Sequence, residues 1–266
     1  MPIINQLMPI QGPDPTSDQE DRGFAGLPSD WFIPTIHSVY LQLFSRMLSL
    51  PLSEVQRDSL EQPRLLPLLD YLPIFDATNA LNHPHAGRHL GLQIPMAAHG
   101  AMGAAAMVSQ SISHAMETIA RFAHIRNRMF DFECQRSRAK VSLLIRPRIS
   151  LHDYVLFIQN VTVFGKFSIL KAMVQPDDFQ CGRVLLPWKA PAEDELYRLN
   201  DSIACVYESR TLGFEFPVEL ADRPSILSDP AMHRHVSQAG EEELEKLRGN
   251  VSAQVRHLLH SRQPDW

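Results

Sequence analysis

Apolar positions in this chain fall into two periodicities, and their alternation predicts a mixed architecture. From Pro34 onward Ile36, Val39, Tyr40, Leu43, Phe44, Met47 and Leu48 recur three and four apart, which predicts a helix stopped near Pro51. The apolar run from Leu65 to Leu81 is broken by Pro67 and Pro73 and is not expected to be one continuous helix. Further on, Ile112, Met116, Ile119 and Ala123 share one helical face, and Ser109 or Ser111 offers an oxygen to the open first-turn amides. Between His99 and Ala106 lies a run of very small residues that lets backbones approach closely. The other periodicity is two. Val141, Leu143 and Ile145 alternate with Lys140, Ser142 and Arg146, and Leu212, Phe214, Phe216, Val218 and Leu220 take every second position. Pro217 lacks a ladder donor, so this last strand is expected at an edge or with a bulge.

Two more segments complete the pattern. LHDYVLFIQNVTVFGKFSILKAMV, introduced by Ser150 and Asp153 in the manner of a capping box, is apolar on nearly all sides. Its β-branched residues suit a strand as well, but its length and cap favour a buried helix. Past it, GRVLLP reads as a strand and Pro191 opens a short helix with acidic residues in its first turn. A final helix from about Gln238 to Ser261 carries the stripe Leu244, Leu247, Val251, Val255, Leu258 and Leu259. That stripe can pack on its own domain or pair with a second subunit. The predicted fold class is α+β: a helical layer packed on a small mixed or antiparallel sheet, ending in a long C-terminal helix. The expected divisions are a Pro-, Gly- and Asp-rich N-terminal arm over 1–30, a sensing body over 31–230, and a C-terminal helical segment over 231–266.

Composition narrows the function. With 266 residues, 44% hydrophobic and 21% charged, the chain can bury a substantial core. Its net charge of −5 argues against a surface that grips nucleic acid throughout. Arg121, Arg126, Arg128, Arg136 and Arg138 are interleaved with Phe122, Phe130 and Phe132, which is compatible with a single-strand track, but a half-buried strand with a solvated face is the simpler reading. Cys134, Cys181 and Cys205 have no metal or redox spacing and are expected to be small buried apolar groups in a reducing cytoplasm. His83, His85 and His89 crowd one turn without an acidic or thiol partner at ligand spacing, so no metal is expected. No run reaches the ~18 apolar residues of a membrane span, so no membrane is expected. Nucleophile elbows, phosphate loops, dinucleotide fingerprints and zinc-protease motifs are all missing, and neither a catalytic residue nor a cofactor is assigned.

Gly91 and Leu92, then His99-Gly100 with Gly103 three on, then Ser109 and a helix ending in Arg121-Phe122 resemble the effector-sensing N-terminal domain of AraC/XylS-type bacterial transcription regulators. TLGFEFPVEL and the Glu/Leu-rich last helix are similar to it as well. The resemblance implies a non-enzymatic domain that binds a small effector, forms a homodimer, and reaches DNA only through a C-terminal helix-turn-helix domain, which would follow SRQPDW. The candidate effector-binding residues are His99, Arg121, Phe122, Tyr154, Phe157 and Ile158, which cap or line the most buried helices. A carboxylate or fatty-acid effector would take Arg121 as its counter-ion, because a guanidinium can engage both oxygens. The candidate dimer interface is Leu244, Leu247, Val251, Val255 and Leu258. The alternatives are a stand-alone interaction module that dimerises with a full-length regulator and, less well supported, a small-molecule enzyme.

Overall fold

A computed structural model describes residues 29–52, 57, 64–80, 86–190 and 203–261, with side chains of the last helix described to residue 249. Most of the expected arm, His83, His85 and the helix expected from Pro191 lie outside these residues. The fold is α+β. Strand β1 (Pro34–His37) pairs antiparallel with β2 (Leu65–Pro67), and helix α1 (Ser38–Met47) follows directly. Ile36 therefore sits in a strand, not in the helix its spacing predicted. His37 marks the change: its backbone is extended and its Nδ1 accepts from the Val39 amide at 3.2 Å, capping α1. The Leu65–Leu81 segment is divided as its prolines require, into β2, a 3-10 turn over Leu68–Tyr71, and helix α2 (Leu72–Ala80).

Helices α3 (Ala86–Leu92) and α6 (Val155–Ala172) are pressed together in the centre of the molecule. A side chain at Gly91 would come within 3.0 Å of the Val161 carbonyl and the Phe164 Cβ, so glycine permits this approach. The small-residue run is itself a helix, α4 (Gly100–Met107), preceded by a 3-10 turn over Met96–His99. Gly100 joins them at φ 57°, a left-handed conformation, with Arg126 filling the space where a side chain would start. Helix α5 (Ile112–Phe122) begins at Ser111, whose Oγ accepts from the His114 amide; Ser109 instead bonds back to the Ala105 carbonyl. Its predicted stripe of Ile112, Met116 and Ile119 is fully buried, with Ala123 just beyond.

The main sheet contains β3 (Phe130–Arg136), β4 (Lys140–Pro147), β5 (Arg183–Leu185), β6 (Ala204–Val206) and β7 (Leu212–Pro217), in the order β3-β4-β7-β5-β6; the short helix α7 (Pro176–Phe179), which follows α6, leads into β5. All pairs are antiparallel except β5 with β6. Val141, Leu143 and Ile145 lie opposite Phe216, Phe214 and Leu212, which builds one apolar face from the two period-two segments. The solvated face is narrower than expected, since Ser142 and Leu144 are buried too. Pro217 behaves differently from the expectation of an edge strand: β7 is interior, and Pro217 is tolerated as its last residue before the short helix α8 of Val218–Ala221.

Helix α6 has no capping box at Ser150; a 3-10 turn over His152–Tyr154 leads into it without a side-chain cap. The stretch His152–Ala172 is, with that turn, long and apolar enough to cross a membrane by length and composition, but 61% of the apolar window is buried within the protein. It is the core helix of this fold. The last helix, α9 (Pro230–Ser261), starts earlier than its stripe suggested. Asp229 accepts from the Ala231 and Met232 amides, and Pro230 needs no partner for a missing N–H. The helix packs mainly on α4, and the absence of a side chain at Gly240 lets it sit against the Phe122 ring.

Candidate functional site

Two hollows compete for attention. The smaller, about 50 Å³, lies between β1, α1, the 68–71 turn, α2 and α6. Most of its wall is apolar, built from Ile36, Phe44, Phe75, Phe157, Ile158 and Val161. One end is polar. There Tyr40 Oη lies 3.0 Å from His99 Nδ1, and Lys166 Nζ lies 3.4 Å from the same nitrogen. Nδ1 carries either one in-plane lone pair or one proton, so it makes one full hydrogen bond with this pair of groups, and the tautomer sets its direction. Nε2 finds no hydrogen bond of good geometry among the described residues.

Burial and charge explain the electrostatics of this end. His99 is 1% exposed, and desolvation holds its pKa well below the ordinary histidine value, with Lys166 and Arg126 pushing the same way and the Gly165 backbone opposing them. Lys166 is 5% exposed, and burial, aided by Arg126, brings its pKa down to about 7. Its side chain has no carboxylate within ion-pair distance among the described residues. His37 is lowered to about 4, first by burial and then by Arg126. Arg126 is thus the common source of positive potential. Its Nε donates to the His99 carbonyl at 3.4 Å, and its Nη2 reaches Glu243 Oε2 of α9 at 3.8 Å.

The larger hollow, about 520 Å³ and more open, is a groove between α5 and α9. His114 and His233 face each other there at 4.4 Å between ring centroids, and His233 Nε2 lies 3.3 Å from Thr118 Oγ1. Desolvation and then His114 lower the His233 pKa. Arg121 lines this groove, 65% exposed, in an ion pair with Glu241 at 2.6 Å and with its guanidinium 5.6 Å from the centre of the Phe122 ring.

The candidate effector residues are therefore divided. His99, Phe157 and Ile158 meet in the inner cavity. Tyr154 stands behind its wall, packed on Phe75 at 5.2 Å with its hydroxyl donating to Asp76 at 2.7 Å. Arg121 and Phe122 are not brought to the cavity at all: Arg121 faces solvent and Glu241, and Phe122 is buried under Gly240. Helix α5 turns its buried face to the core, so consecutive residues at its end diverge. Tyr40, Lys166 and Arg126 were not anticipated. Lys166 had a signal, being the one charge in the middle of a segment that is apolar on every side.

Other candidate chemistry is sparse. Among the described residues no three His, Cys, Asp or Glu side chains converge as a metal site. The thiols do not all match the expectation of burial: Cys181 is exposed, while Cys134 and Cys205 are half-buried. Burial raises the Cys134 pKa to about 11, which keeps it a thiol. Of the dimer candidates, Leu244 and Leu247 are half-buried against the chain's own core; the side chains of Val251, Val255 and Leu258 lie beyond those described.

Comparison with known proteins agrees with this architecture. The crystal structure of the transcriptional regulator CdpR from Pseudomonas aeruginosa is similar in fold, with a TM-score of 0.56 at 16% identity over 85% of this chain and 72% of that one. No curated protein matches the sequence. The model of the arabinose-binding domain of AraC transcription regulators, an N-terminal domain, matches residues 49–225, which include β2 through β7 and every cavity residue contributed by α6. The chain belongs to that family of AraC-type regulator domains.

Proposed function

We propose that this chain senses a small-molecule effector in the cavity bounded by Tyr40, His99, Phe157, Ile158 and Lys166, and passes its occupancy to α9. The observation that carries the reading is the convergence of polar groups at one end of a mostly apolar hollow. Such a layout orients a ligand by a few hydrogen bonds and holds it by its apolar body. The route outward is short. His99 gives its carbonyl to Arg126, and Arg126 faces Glu243 on α9.

Residues 31–230 act as the sensing body and 231–266 as the output. The output is homodimerisation through α9 and control of a helix-turn-helix domain that reads DNA. Leu244 and Leu247 pack on the chain's own core, so they serve the dimer only in part. An effector that favours one arrangement of α9 tenfold over the other shifts the balance by about 1.4 kcal/mol. The protein works in the cytoplasm as a regulator, not as a catalyst.

Thermal-shift measurements over a ligand panel test the reading, with Ile158→Trp as the cavity-filling control. A ligand should raise Tm in the parent and leave the variant unmoved. A response that survives the filled cavity places the effector elsewhere.

A further inference from the structure

We infer that the effector is a small monocarboxylate whose head binds Lys166 Nζ at the polar end of the inner cavity. This rests on the sensing reading above and names the ligand class for that site. A lysine buried among Phe, Ile and Val side chains is costly unless an anion or a hydrogen-bond network compensates it, because the charged form loses its hydration. Here the amine has one neutral contact, the His99 ring, and no acid among the described residues. Tyr40 Oη approaches the same His99 nitrogen, and the Thr162 hydroxyl lines the same space. Three groups that can donate thus meet at one end of a mostly apolar void whose lining holds no carboxylate; Asn127, which also borders it, already accepts from the Met129 amide. A carboxylate supplies what is missing.

The surrounding charges agree. Arg126 faces this end from the segment after α5 and depresses the pKa of His37, His99 and Lys166 alike. Titratable neighbours on the packed elements are His37 on β1, Tyr40 on α1, Tyr71 and Asp70 on the 68–71 turn, and His99 before α4; Arg88 on α3 lies over Phe164, farther along α6. Asp70, which acts on Tyr71, and Glu243, which pairs with Arg126, are the acids among these groups, and neither lines the cavity. The size is also informative. At about 50 Å³ the void accommodates roughly the volume of a few waters, hence an acid of about four to six heavy atoms rather than a long chain.

Carboxylate binding raises the lysine pKa, so binding above neutral pH takes up a proton. The amine is protonated by water or buffer, and the ammonium then pairs with the carboxylate; no covalent bond changes. The lysine's pKa of about 7 in the unliganded protein sets the window. Affinity should fall by about tenfold or more between pH 6 and pH 8.5.

The test is titration calorimetry of the full chain with acetate, propionate and butyrate, beside butyramide, butanol and arabinose as neutral comparators. Measurements in phosphate and in Tris at pH 8 report proton uptake, expected close to one per acid. Lys166→Met should abolish acid binding while circular dichroism shows it folded. Should that variant fail to fold, the proton count on the parent protein decides alone. Equal binding of butyramide and butyrate, acid binding without proton uptake, or acid binding that survives in a folded Lys166→Met protein overturns the inference. The first of these, if still lost in Ile158→Trp, leaves the sensing reading standing; binding only of neutral ligands does the same. Binding of no panel member overturns the inference as well, and a cavity-dependent response to some other molecule would then keep the broader reading.

Discussion

The groove between α5 and α9 is about ten times the volume of the inner cavity, yet its central polar groups pair with one another. Arg121 pairs with Glu241, and His233 with Thr118, on a surface that water reaches. In the inner cavity the relation is reversed, with little space and a buried amine that, among the described residues, has a neutral hydrogen-bond contact and no acid to pair with. Volume alone favours the groove. The more telling quantity is the free energy left uncompensated by the protein's own groups, and that measure favours the small cavity as the proposed site. A residue kept at a cost to stability invites a functional explanation.

Substitution and pH sharpen this contrast. The largest effect is expected from acid. His37 and His99 are held below the unfolded histidine value near 6.5, so between the folded and unfolded values the unfolded chain binds more protons. Stability is complete above about pH 6.5 and is lost as pH falls, for His37 down to its folded value of about 4, on the order of 3 kcal/mol from that residue. Denaturant unfolding at pH 7 and pH 4.5 measures it. His114→Gln in the groove should leave the slope nearly intact; a slope that vanishes with it would move the acid-sensitive centre to the groove.

A second effect of the same sign, at higher pH, is expected at Lys166. Its folded pKa of about 7 lies below the unfolded lysine value, so the parent protein gains stability as pH rises from about 7 towards 10. Lys166→Met removes the buried amine and should stabilise the unliganded protein by ~1–4 kcal/mol near pH 6. The gain should shrink at higher pH, where the parent lysine folds neutral. Destabilisation at every pH would mean that Nζ is better compensated than its single contact implies. Least of all is expected from Arg121→Ala. The exposed pair with Glu241 should contribute no more than about 1 kcal/mol, less in high salt, and effector affinity should not change. A large loss of affinity would restore Arg121 to the site.

The same contrast explains what could be read from residues alone. Elements with long single-period patterns were legible: the α5 stripe, its Ser111 cap, the buried α6 and the β4–β7 face all follow local rules. Short apolar stretches were not. Ile36 fits a helix spacing, but pairing with Leu66 across β2 fixes it in a strand. For the site, His99 was legible because a polar residue among glycines and alanines at a turn has few local partners. Arg121 lies in the last turn of a buried helix and suits a carboxylate, but its place there says little about the direction its side chain takes. Tyr40, His99, Arg126 and Lys166 come from four separate segments, and only the tertiary fold makes them neighbours.

Helix α9 has 32 residues, so from the cap at Asp229 it extends about 48 Å. Gly240 rests on Phe122 about a third of the way along, and Glu243 meets Arg126 one turn later. That geometry makes a lever with its fulcrum near the sensing body. A tilt of about five degrees at Gly240 would carry the far end roughly 3 Å, enough to separate side chains that touch at van der Waals distance. On the proposed reading, a molecule of a few atoms beside His99 would in this way move something far larger than itself.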